Sequence, residues 1–423
     1  MSLQPQTLTT DVLVVGAGAS GIPAAIGAAR AGAKVVLLEE DLVIGGATTD
    51  YYVDMLCGGP VTGVMLEAQM QLKQHYSPTR DALFFLPDSF QRVFWQLLNQ
   101  EPNITTIPGA RVVETLTEGA AARVVGVRAE TGLGRTLILR SAVTVDATGC
   151  GAVAILAGCT ALYGRDARTD FGEPHAPQKR DQHVQECTWM YISQKLGDGP
   201  PFDMMRLDNV RLGVLVNGLG WFHDDPELAL RLNPGVYLHW GCRVRCDDTR
   251  DSRALGQAQA EALQLMERDH ALLRENGYPV SLAPRLGVRE SNRILGEHVV
   301  SENDLRSGVL PADTIAVGTY GIDIWGEYKG IKIADRVTPA YGIPYRALTP
   351  RDVDGLLLAG RSISGSHLGM SAYRVMPIAA SIGQAAGVAA ALCVRHTCQP
   401  RALDPALVRS ILRAQKVQLD FES

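Results

Sequence analysis

The sequence has little of what would set it apart from ordinary globular proteins. Charged residues make up 20% of it, and 40 basic against 45 acidic residues leave a net charge of only −5. This balance offers nothing that would attract a nucleic-acid backbone or an anionic membrane surface. Hydrophobic residues occupy 46% of the 423 positions, which excludes a disordered chain and suffices for a buried core. We therefore expect two or three domains and neither a nucleic-acid nor a membrane partner.

Cysteine motifs are also missing from the chain. None of the eight cysteines belongs to a CxxC pair, and no cluster of Cys or His accompanies them; they stand at positions 57, 150, 159, 187, 242, 246, 393 and 398. This spacing indicates neither an iron–sulfur centre nor another metal site. The first ten residues lack the apolar segment of a signal peptide. Scattered thiols without such a segment predict a cytoplasmic protein with reduced cysteines.

Long apolar runs are rare, and one stretch alone is long enough to cross a bilayer. Val375–Val394 has twenty residues without a charge. Alanine dominates it, and Pro377, Ser381 and Gln384 interrupt its apolar character. Such small side chains favour a helix packed tightly inside an α/β domain over one that faces lipid. We predict a buried helix and no membrane span.

The N-terminal region contains a βαβ unit. Asp11–Val15 is an uninterrupted apolar run, typical of a strand buried on both faces of a parallel sheet. A helix of small residues is predicted over Ile22–Ala31, and Gly32 ends it because glycine adopts a left-handed cap at little cost. Lys34–Leu38 is the next apolar strand. The unit predicts two parallel strands joined by a helix.

A GxGxxG motif joins the first of these strands to the helix. Gly16 permits a tight turn, Gly18 lets a pyrophosphate approach the backbone, and Gly21 lets helix and strand pack closely. The free N–H groups of the helix N-terminus, which follows Ser20, then face the phosphates. Glu39 ends the second strand, eighteen residues beyond Gly21, where a carboxylate accepts hydrogen bonds from a ribose diol. Together these features predict a dinucleotide site rather than a glycine-rich turn without a ligand.

The following segments alternate between helix and strand. One helix carries five apolar residues on a single face (Phe90, Val93, Phe94, Leu97 and Leu98), with Asp88 or Ser89 as its N-cap. Four strands are predicted over residues 104–113, 123–129, 135–140 and 142–147. A second glycine motif, Gly149–Ala154, follows the last of them. No acid-ended strand comes about twenty residues later, so we interpret this motif as a structural turn.

The composition changes between residues 161 and 345, where aromatic and polar residues mix and turns are frequent. One long amphipathic helix, Ser252–Asn276, ends at Gly277 in this region. The pattern of apolar strands and small-residue helices returns after Tyr345 with the strand Gly355–Gly360. We predict an α/β fold in which residues 1–160 and 346–423 form a discontinuous Rossmann-like domain. Residues 161–345 form an inserted α+β domain that shapes the substrate site.

Several motifs together resemble the FAD-dependent oxidoreductases of the glutathione reductase superfamily. The closest likeness is to the bacterial group near the fumarate reductase and succinate dehydrogenase flavoproteins. The resemblance rests on the GxGxxG motif and Glu39, and on further segments at Gly45–Gly46, Asp146–Gly149, Leu286–Gly296, Gly342–Arg346, Ala359–Ser364 and Gly383–Gly387. The chain departs from the pattern at Cys150, where an acidic residue is expected.

The resemblance implies a three-layer β/β/α FAD-binding domain with a parallel sheet, and FAD bound without a covalent link. The backbone of Val112 would meet the adenine. The long C-terminal helix would begin near Val375 and Met376 and point its free N–H groups at the flavin pyrimidine. In all, the residues implied to bind FAD are Gly16, Gly18, Ser20, Gly21, Glu39, Gly45, Gly46, Val112, Ala147, Thr148, Gly149, Gly360, Arg361, Val375 and Met376.

His367, Arg374 and Arg289 are the catalytic candidates. The first two lie between the Ala-Gly-Arg turn and the C-terminal helix, where the fumarate reductase-like relatives carry substrate-binding residues. A histidine and an arginine there could bind one carboxylate or oxyanion, unless His367 is an ordinary loop histidine. For Arg289, Glu290 and Arg293, an internal salt-bridge network is as good an interpretation as a substrate role. Cys57 would lie near the flavin. Its thiol is there either a redox group or a small buried side chain.

We therefore expect an FAD-dependent oxidoreductase that transfers a hydride between a small polar substrate and flavin N5. The substrate would bear a carboxylate or a hydroxyl group. An NAD-dependent dehydrogenase is one alternative, and a flavin-bearing electron-transfer subunit without its own substrate is another. Beyond the small-molecule substrate, a second copy of the chain or a redox protein stays open as a partner.

Overall fold

The computed structural model describes residues 4–76, 85–119, 122–197, 200, 202–209, 212–214, 235–326 and 336–421. A central mixed sheet contains seven strands, which are β1 (Gln6–Val15), β2 (Val35–Leu38), β3 (Ile104–Ile107), β4 (Ala110–Glu118), β5 (Arg123–Thr131), β6 (Arg135–Asp146) and β17 (Leu356–Leu358). Their order is β3-β2-β1-β6-β5-β4, and β17 also pairs with β6. The pairs β3–β2, β2–β1, β1–β6 and β17–β6 are parallel, whereas β4–β5 and β5–β6 are antiparallel.

Shorter strands and the helices surround this sheet. The remaining strands are β7 (Ala161–Leu162), β8 (Cys187–Thr188), β9 (Tyr191–Gln194), β10 (Leu212–Val214), β11 (Val236–His239), β12 (Arg243–Val244), β13 (Val280–Leu282), β14 (Arg293–Ile294), β15 (Thr314–Gly318) and β16 (Tyr341–Pro344). The α-helices are α1 (Gly21–Arg30), α2 (Ala47–Asp50), α3 (Gly63–His75), α4 (Pro87–Asn99), α5 (Ala152–Leu156), α6 (Arg168–Phe171), α7 (Ser252–Glu275), α8 (Glu302–Ser307), α9 (His367–Tyr373), α10 (Met376–His396) and α11 (Pro405–Ala414).

The predicted βαβ unit is present. β1 and β2 are parallel with Val15 opposite Leu38, so the GxGxxG turn and Glu39 emerge side by side at the same edge of the sheet. α1 ends at Arg30, and Gly32 follows with a left-handed φ of 96°. The long amphipathic helix is confirmed as α7, which ends at Glu275 with Asn276 as its C-cap. These elements confirm the Rossmann-like α/β fold.

Three of the four strands predicted between residues 104 and 147 are wrong in their boundaries. Residues 135–140 and 142–147 are one continuous strand, β6, because β5 pairs along its first half while β17 pairs along its last residues. β1 pairs with β6 over almost its whole length and holds the two halves in line. Residues 104–113 are instead divided into β3 and β4 at Gly109, whose φ of 72° breaks an extended strand.

The predicted start of α4 is also wrong. The helix begins at Pro87 with Leu86 as its N-cap, not at Asp88 or Ser89. Proline suits the first helical position because its fixed φ is helical and its missing N–H would have no partner there. The five apolar residues of the predicted face, from Phe90 to Leu98, are all buried.

α10 contains most of the uncharged stretch that is long enough to cross a bilayer. By length and composition it could cross a membrane, but 94% of its most apolar window is buried inside the protein. Two of its glycines explain how it packs so closely on α1. A Cβ at Gly383 would overlap the carbonyl of Ser20, and one at Gly387 would overlap the carbonyl of Ala24. The helix is thus part of the core, as its small side chains predicted.

Three hydrophobic clusters organise the described residues. The largest lies around the central sheet with α1 and α10, and it includes Ile294, Ile315 and Ile343 from the predicted inserted region. A second cluster packs α7 against β9, β11 and β12. A third, small cluster joins Met55 to residues of β11 and its surroundings. Ile294, Ile315 and Ile343 therefore pack with the residues of the central sheet, while the division into domains stays a prediction.

Candidate functional site

A cavity of about 500 Å³ opens at the carboxyl ends of β1, β2 and β6. Ligands of open parallel sheets bind at this edge, because strand ends and helix N-termini converge there. Segments from both ends of the chain line the cavity, together with residues of the predicted inserted region between Thr188 and Trp325. It therefore lies where a bound molecule would contact the central sheet on one side and the inserted region on the other.

The glycine motif forms one wall of this cavity through its backbone. A Cβ at Gly16, whose φ is 100°, would stand 2.5 Å from the carbonyl oxygen of Ala147. A Cβ at Gly21 would overlap the carbonyl of Gly16, so the third glycine permits the tight packing of α1 on the turn. Gly18 forms a bridge with Gly45, and Gly46 approaches Gly18. The resulting cradle has no side chains in it, and an extended phosphate chain can lie along the backbone.

Glu39 stands beside this cradle at the end of β2. Its Oε2 accepts a hydrogen bond of 2.6 Å from the N–H of Ala17, and its Oε1 accepts one of 3.2 Å from the N–H of Asp41. Burial raises the pKa of Glu39, and these two N–H groups counteract that rise. The carboxylate is held in place on the cavity wall, as recognition of a ribose diol requires.

The Asp146–Gly149 turn forms the wall on the other side of Gly16. Asp146 is fully buried at the end of β6 and accepts hydrogen bonds from the backbone and hydroxyl of Thr148 and from the N–H of Ala154. Thr148 in turn accepts a hydrogen bond from Ala152. The five-residue helix α5 that follows leads into β7, which pairs with β14 and not with the central sheet. The Gly149–Ala154 motif is thus the predicted structural turn.

Residues near the C-terminus complete this end of the cavity. Val375 is the N-cap of α10 and Met376 is its first residue, and both line the cavity. Arg361 donates to the carbonyl of Gly149 at 2.7 Å and to the carbonyl of Val288, so it joins the turn to the inserted region. A side chain at Gly360 would meet Ser20.

Most of the residues predicted for the cofactor therefore come together. Those that line the cavity are Gly16, Gly18, Ser20, Glu39, Gly46, Val112, Ala147, Thr148, Gly149, Gly360, Arg361, Val375 and Met376. Gly21 and Gly45 lie just behind it, where they shape the turn and its bridge to Gly18. Cys150 and Cys57 line it as well. Burial raises the pKa of Cys150, so its thiol stays protonated.

The far end of the cavity carries a cluster around Asp323. Its Oδ2 accepts hydrogen bonds from Tyr320 Oη at 3.1 Å, Trp325 Nε1 at 3.0 Å and Arg374 Nη2 at 3.0 Å. All four residues line the cavity. The buried Nε of Arg374 has no hydrogen-bond partner among the residues that the structure describes. Asp323 thus fixes the guanidinium of Arg374, and 14% of this side chain stays exposed.

Arg289 and its neighbours divide between the substrate role and the salt-bridge network. Arg289 lines the cavity, donates to the carbonyl of Glu186 at 2.9 Å and stacks on Trp325 with 4.2 Å to the ring centroid. Arg293, in contrast, is fully buried and donates to Glu290 at 2.6 Å. The salt-bridge interpretation is therefore confirmed for Glu290 and Arg293, and Arg289 stays a candidate for the substrate.

His367 does not line this cavity. It lies in a second, smaller cavity of about 260 Å³, and Trp325 lines both. Its Nδ1 is 2.9 Å from Oε1 of Glu290, and its N–H donates to Asp166. Burial alone would raise the pKa of Glu290, but His367 and Arg293 lower it below its usual value. The structure thus separates His367 from Arg374, which were predicted to act on one substrate group.

Sequence reasoning missed several residues that line the cavity. Arg285 bridges to Asp41 at 2.5 Å and to Glu40 at 3.3 Å, and so ties the inserted region to the end of β2. Asp50 lies nearby, and burial raises its pKa to about 6. The other missed residues include Tyr51, Met55, Met190, Trp240, Tyr320, Asp323 and Trp325. These residues come from separate loops of the chain. The acidic run that follows β2, which pairs with Arg285, was the one local feature of the sequence that could have pointed to this part of the site.

These residues fit the dinucleotide that the motifs imply. The glycine-lined cradle, the anchored carboxylate of Glu39 and the N-termini of α1 and α10 all border one cavity. The two helix ends favour negative charge on a ligand.

Comparison with known proteins agrees with this geometry. A sequence model of the family described as FAD dependent oxidoreductase matches residues 11–412. A search of curated proteins finds no match.

Solved structures of low identity are also similar. A geranylgeranyl bacteriochlorophyll reductase-like protein of Thermoplasma acidophilum is 13% identical over 96% of this chain and 83% of its own, with a TM-score of 0.45. The myxobacterial chondrochloren halogenase CndH is 13% identical over 97% and 79%, with a TM-score of 0.44. Quinol fumarate reductase of E. coli is 15% identical over 97% and 74%, with a TM-score of 0.39.

The family assignment rests on the match to the family model, which covers nearly all of the sequence and includes every segment that lines the cavity. The motifs that build the cradle lie within the matched residues. The chain therefore belongs to the FAD dependent oxidoreductase family and is an enzyme that uses FAD.

Proposed function

We propose that the enzyme oxidises or reduces a small polar substrate bearing a carboxylate or a hydroxyl group, with FAD held non-covalently in the glycine-lined part of the cavity. When bound, FAD supplies the redox chemistry by exchanging a hydride with the substrate at flavin N5. The cofactor residues would be those that line the cradle, from Gly16 to Met376. FAD use sets aside the NAD-dependent alternative.

The observation that carries the proposal is the state of Arg374. Its guanidinium is mostly buried, with 14% of the side chain exposed, and Asp323 holds it at 3.0 Å. Its Nε has no partner in the described part of the chain. Because Nε itself is sealed from solvent, a substrate carboxylate or carbonyl oxygen would contact the exposed remainder of the guanidinium, through a charge-assisted hydrogen bond. Arg374 would thus orient the substrate, and Arg289 offers a second cation on Trp325.

The cluster around Asp323 would position Arg374. Because the carboxylate accepts three hydrogen bonds through one oxygen, it fixes Tyr320, Trp325 and Arg374 relative to one another. His367 stands apart from this cluster, across Trp325. Its predicted proton transfer therefore requires a substrate that extends past Trp325 into the second cavity. There Glu290 would accept a hydrogen bond from the protonated Nδ1 of His367, so Nε2 would be the ring nitrogen that exchanges a proton with the substrate.

Anaerobic reduction of the bound flavin tests the proposal. We expect bleaching by at least one compound from a panel of carboxylic and hydroxy acids. Arg374→Met should keep FAD and the fold but slow substrate-driven reduction by roughly 10²–10³-fold, because a donor aimed at developing charge is lost. Reduction by dithionite should be unchanged.

His367→Gln serves as the comparison variant. A slowing as large as that of Arg374→Met would bring both residues into one reaction, and a wild-type rate would leave His367 with Glu290 as a structural pair. If no carboxylic or hydroxy acid bleaches the flavin, or if Arg374→Met reduces at the wild-type rate, the proposed function is wrong.

A further inference from the structure

The wall that faces the Asp323 cluster is apolar. Met55, Met190 and Trp240 line the cavity and form one buried cluster with Leu238, at 8%, 3%, 7% and 0% exposure. They come from the loop after α2, the residue before β9 and the end of β11. None of them has a charge to offer a small polar molecule. Apolar side chains such as these would contribute little to the binding of a small polar substrate.

Trp325 joins this apolar wall to the charged residues. Its ring packs against the cluster of Met55, Met190, Leu238 and Trp240. Its Nε1 donates to Asp323, which also holds Arg374. The guanidinium of Arg374 and an apolar surface therefore meet within one cavity, and Trp325 contacts both the apolar cluster and the carboxylate that holds Arg374.

From this juxtaposition we infer that the substrate is amphipathic: a monocarboxylate whose apolar body is about the size of an aromatic ring. The inference rests on the proposed function, since it assigns the carboxylate to Arg374. An apolar body gains roughly 25 cal/mol for each Å² that it buries against Met190 and Trp240. A second carboxylate placed against Met190 and Trp240 would lose its hydration, and neither side chain can replace it. The apolar wall thus selects against short hydroxy acids, and against dicarboxylates unless Arg289 on Trp325 takes the second carboxylate.

Covering the flavin ring is the competing role for the apolar wall. Binding measurements on the FAD-loaded protein separate the two roles, and they need no turnover. The probes are phenylacetate, acetate, succinate and the neutral 2-phenylethanol, and the dissociation constants are read from the shift of the flavin absorption band. Phenylacetate should bind at least about tenfold more tightly than acetate or succinate, which corresponds to about 1.4 kcal/mol.

Two variants test the two halves of the site. Arg374→Met should weaken the binding of phenylacetate by about ten- to a hundredfold and leave the binding of 2-phenylethanol unchanged, because only the anion loses its partner. Met190→Ala should weaken the binding of phenylacetate about tenfold and leave the binding of acetate unchanged. Met266→Ala is the matched control, since Met266 on α7 is also buried but belongs to the second cluster and does not line the cavity.

The inference is overturned if acetate or succinate binds as tightly as phenylacetate. It is also overturned if Met190→Ala weakens FAD binding but leaves the ratio of the phenylacetate and acetate dissociation constants at its wild-type value, since the wall then serves the cofactor. Failure of the proposed function is a separate result: the probes bind with the expected order, yet no acid in the panel reduces the flavin.

Discussion

The two ends of the main cavity are built from different materials. The end proposed for the cofactor consists mainly of backbone: the 16–21 turn, the Gly45–Gly46 bend and the Asp146–Gly149 turn, with the anchored carboxylate of Glu39 beside them. The substrate end consists of side chains, among them Arg374, which loops far apart in sequence bring together. A backbone site depends on a few glycines and on strand register, whereas a side-chain site can change with each substitution. This difference explains how one cofactor site can serve different substrates.

Gly21→Ala tests the backbone end and should have the largest effect. The new methyl group would overlap the carbonyl of Gly16, so α1 and the turn must move apart. We expect the free energy of unfolding to fall by about 1–3 kcal/mol and FAD to be lost during purification. Gly132→Ala is the control, because nothing lies within 4 Å of its Cβ. Denaturant unfolding and the flavin-to-protein ratio measure both effects; full FAD content in Gly21→Ala would contradict the role of this close packing.

Glu39→Ala removes the carboxylate that lines the proposed cofactor end and accepts hydrogen bonds there from two backbone N–H groups. Losing charge-assisted hydrogen bonds to a ribose should cost about 1.5–3 kcal/mol, or roughly ten- to a hundredfold in FAD affinity. Glu118→Ala is the control, because Glu118 is exposed, pairs with Arg140 and does not line the cavity. Titration of the apoprotein with FAD gives both affinities. Unchanged affinity in Glu39→Ala would refute the ribose contact, and a flavin that acid cannot release would refute non-covalent binding.

Asp50→Asn is the one stabilising change of the three, and its effect depends on pH. Burial raises the pKa of Asp50 to about 6, so the ionised form destabilises the fold above that pH. As the pH falls from 7.5 through 6 toward the unfolded value near 4, the wild type recovers this stability. Asp50→Asn should therefore be more stable than the wild type by up to about 3 kcal/mol at pH 7.5, and equal to it near pH 4. Urea unfolding of the apoproteins at both pH values measures the difference; a variant that is less stable at pH 7.5 would contradict it.

Predictions of the fold succeeded where the pattern was local. The apolar run of β1, the small residues of α1 and the amphipathic period of α7 each predict their own element. Errors occurred at boundaries that pairing decides. Nothing local shows that β6 continues through Ser141, because its continuity comes from β1 and β17 beside it.

The candidate site follows the same division. The Gly16–Gly21 motif and Glu39 were predicted because their spacing alone brings them to one sheet edge. The pairing of Arg374 with Asp323 was not, since fifty-one residues separate them and neither belongs to a motif. The placement of His367 behind Trp325 was equally beyond reach, because it depends on how the loop around residue 325 packs against Gln185 and Glu186.

By itself, the sequence determined the cofactor end of this enzyme. The sequence shows this end because its residues occur at fixed spacing: a glycine where the helix packs against a carbonyl, and a carboxylate directly after a strand. Only the tertiary structure decided the substrate end. There, Arg374, Asp323, Trp325 and the apolar wall meet through contacts between loops, and such contacts depend on distances in space that no spacing in the sequence records.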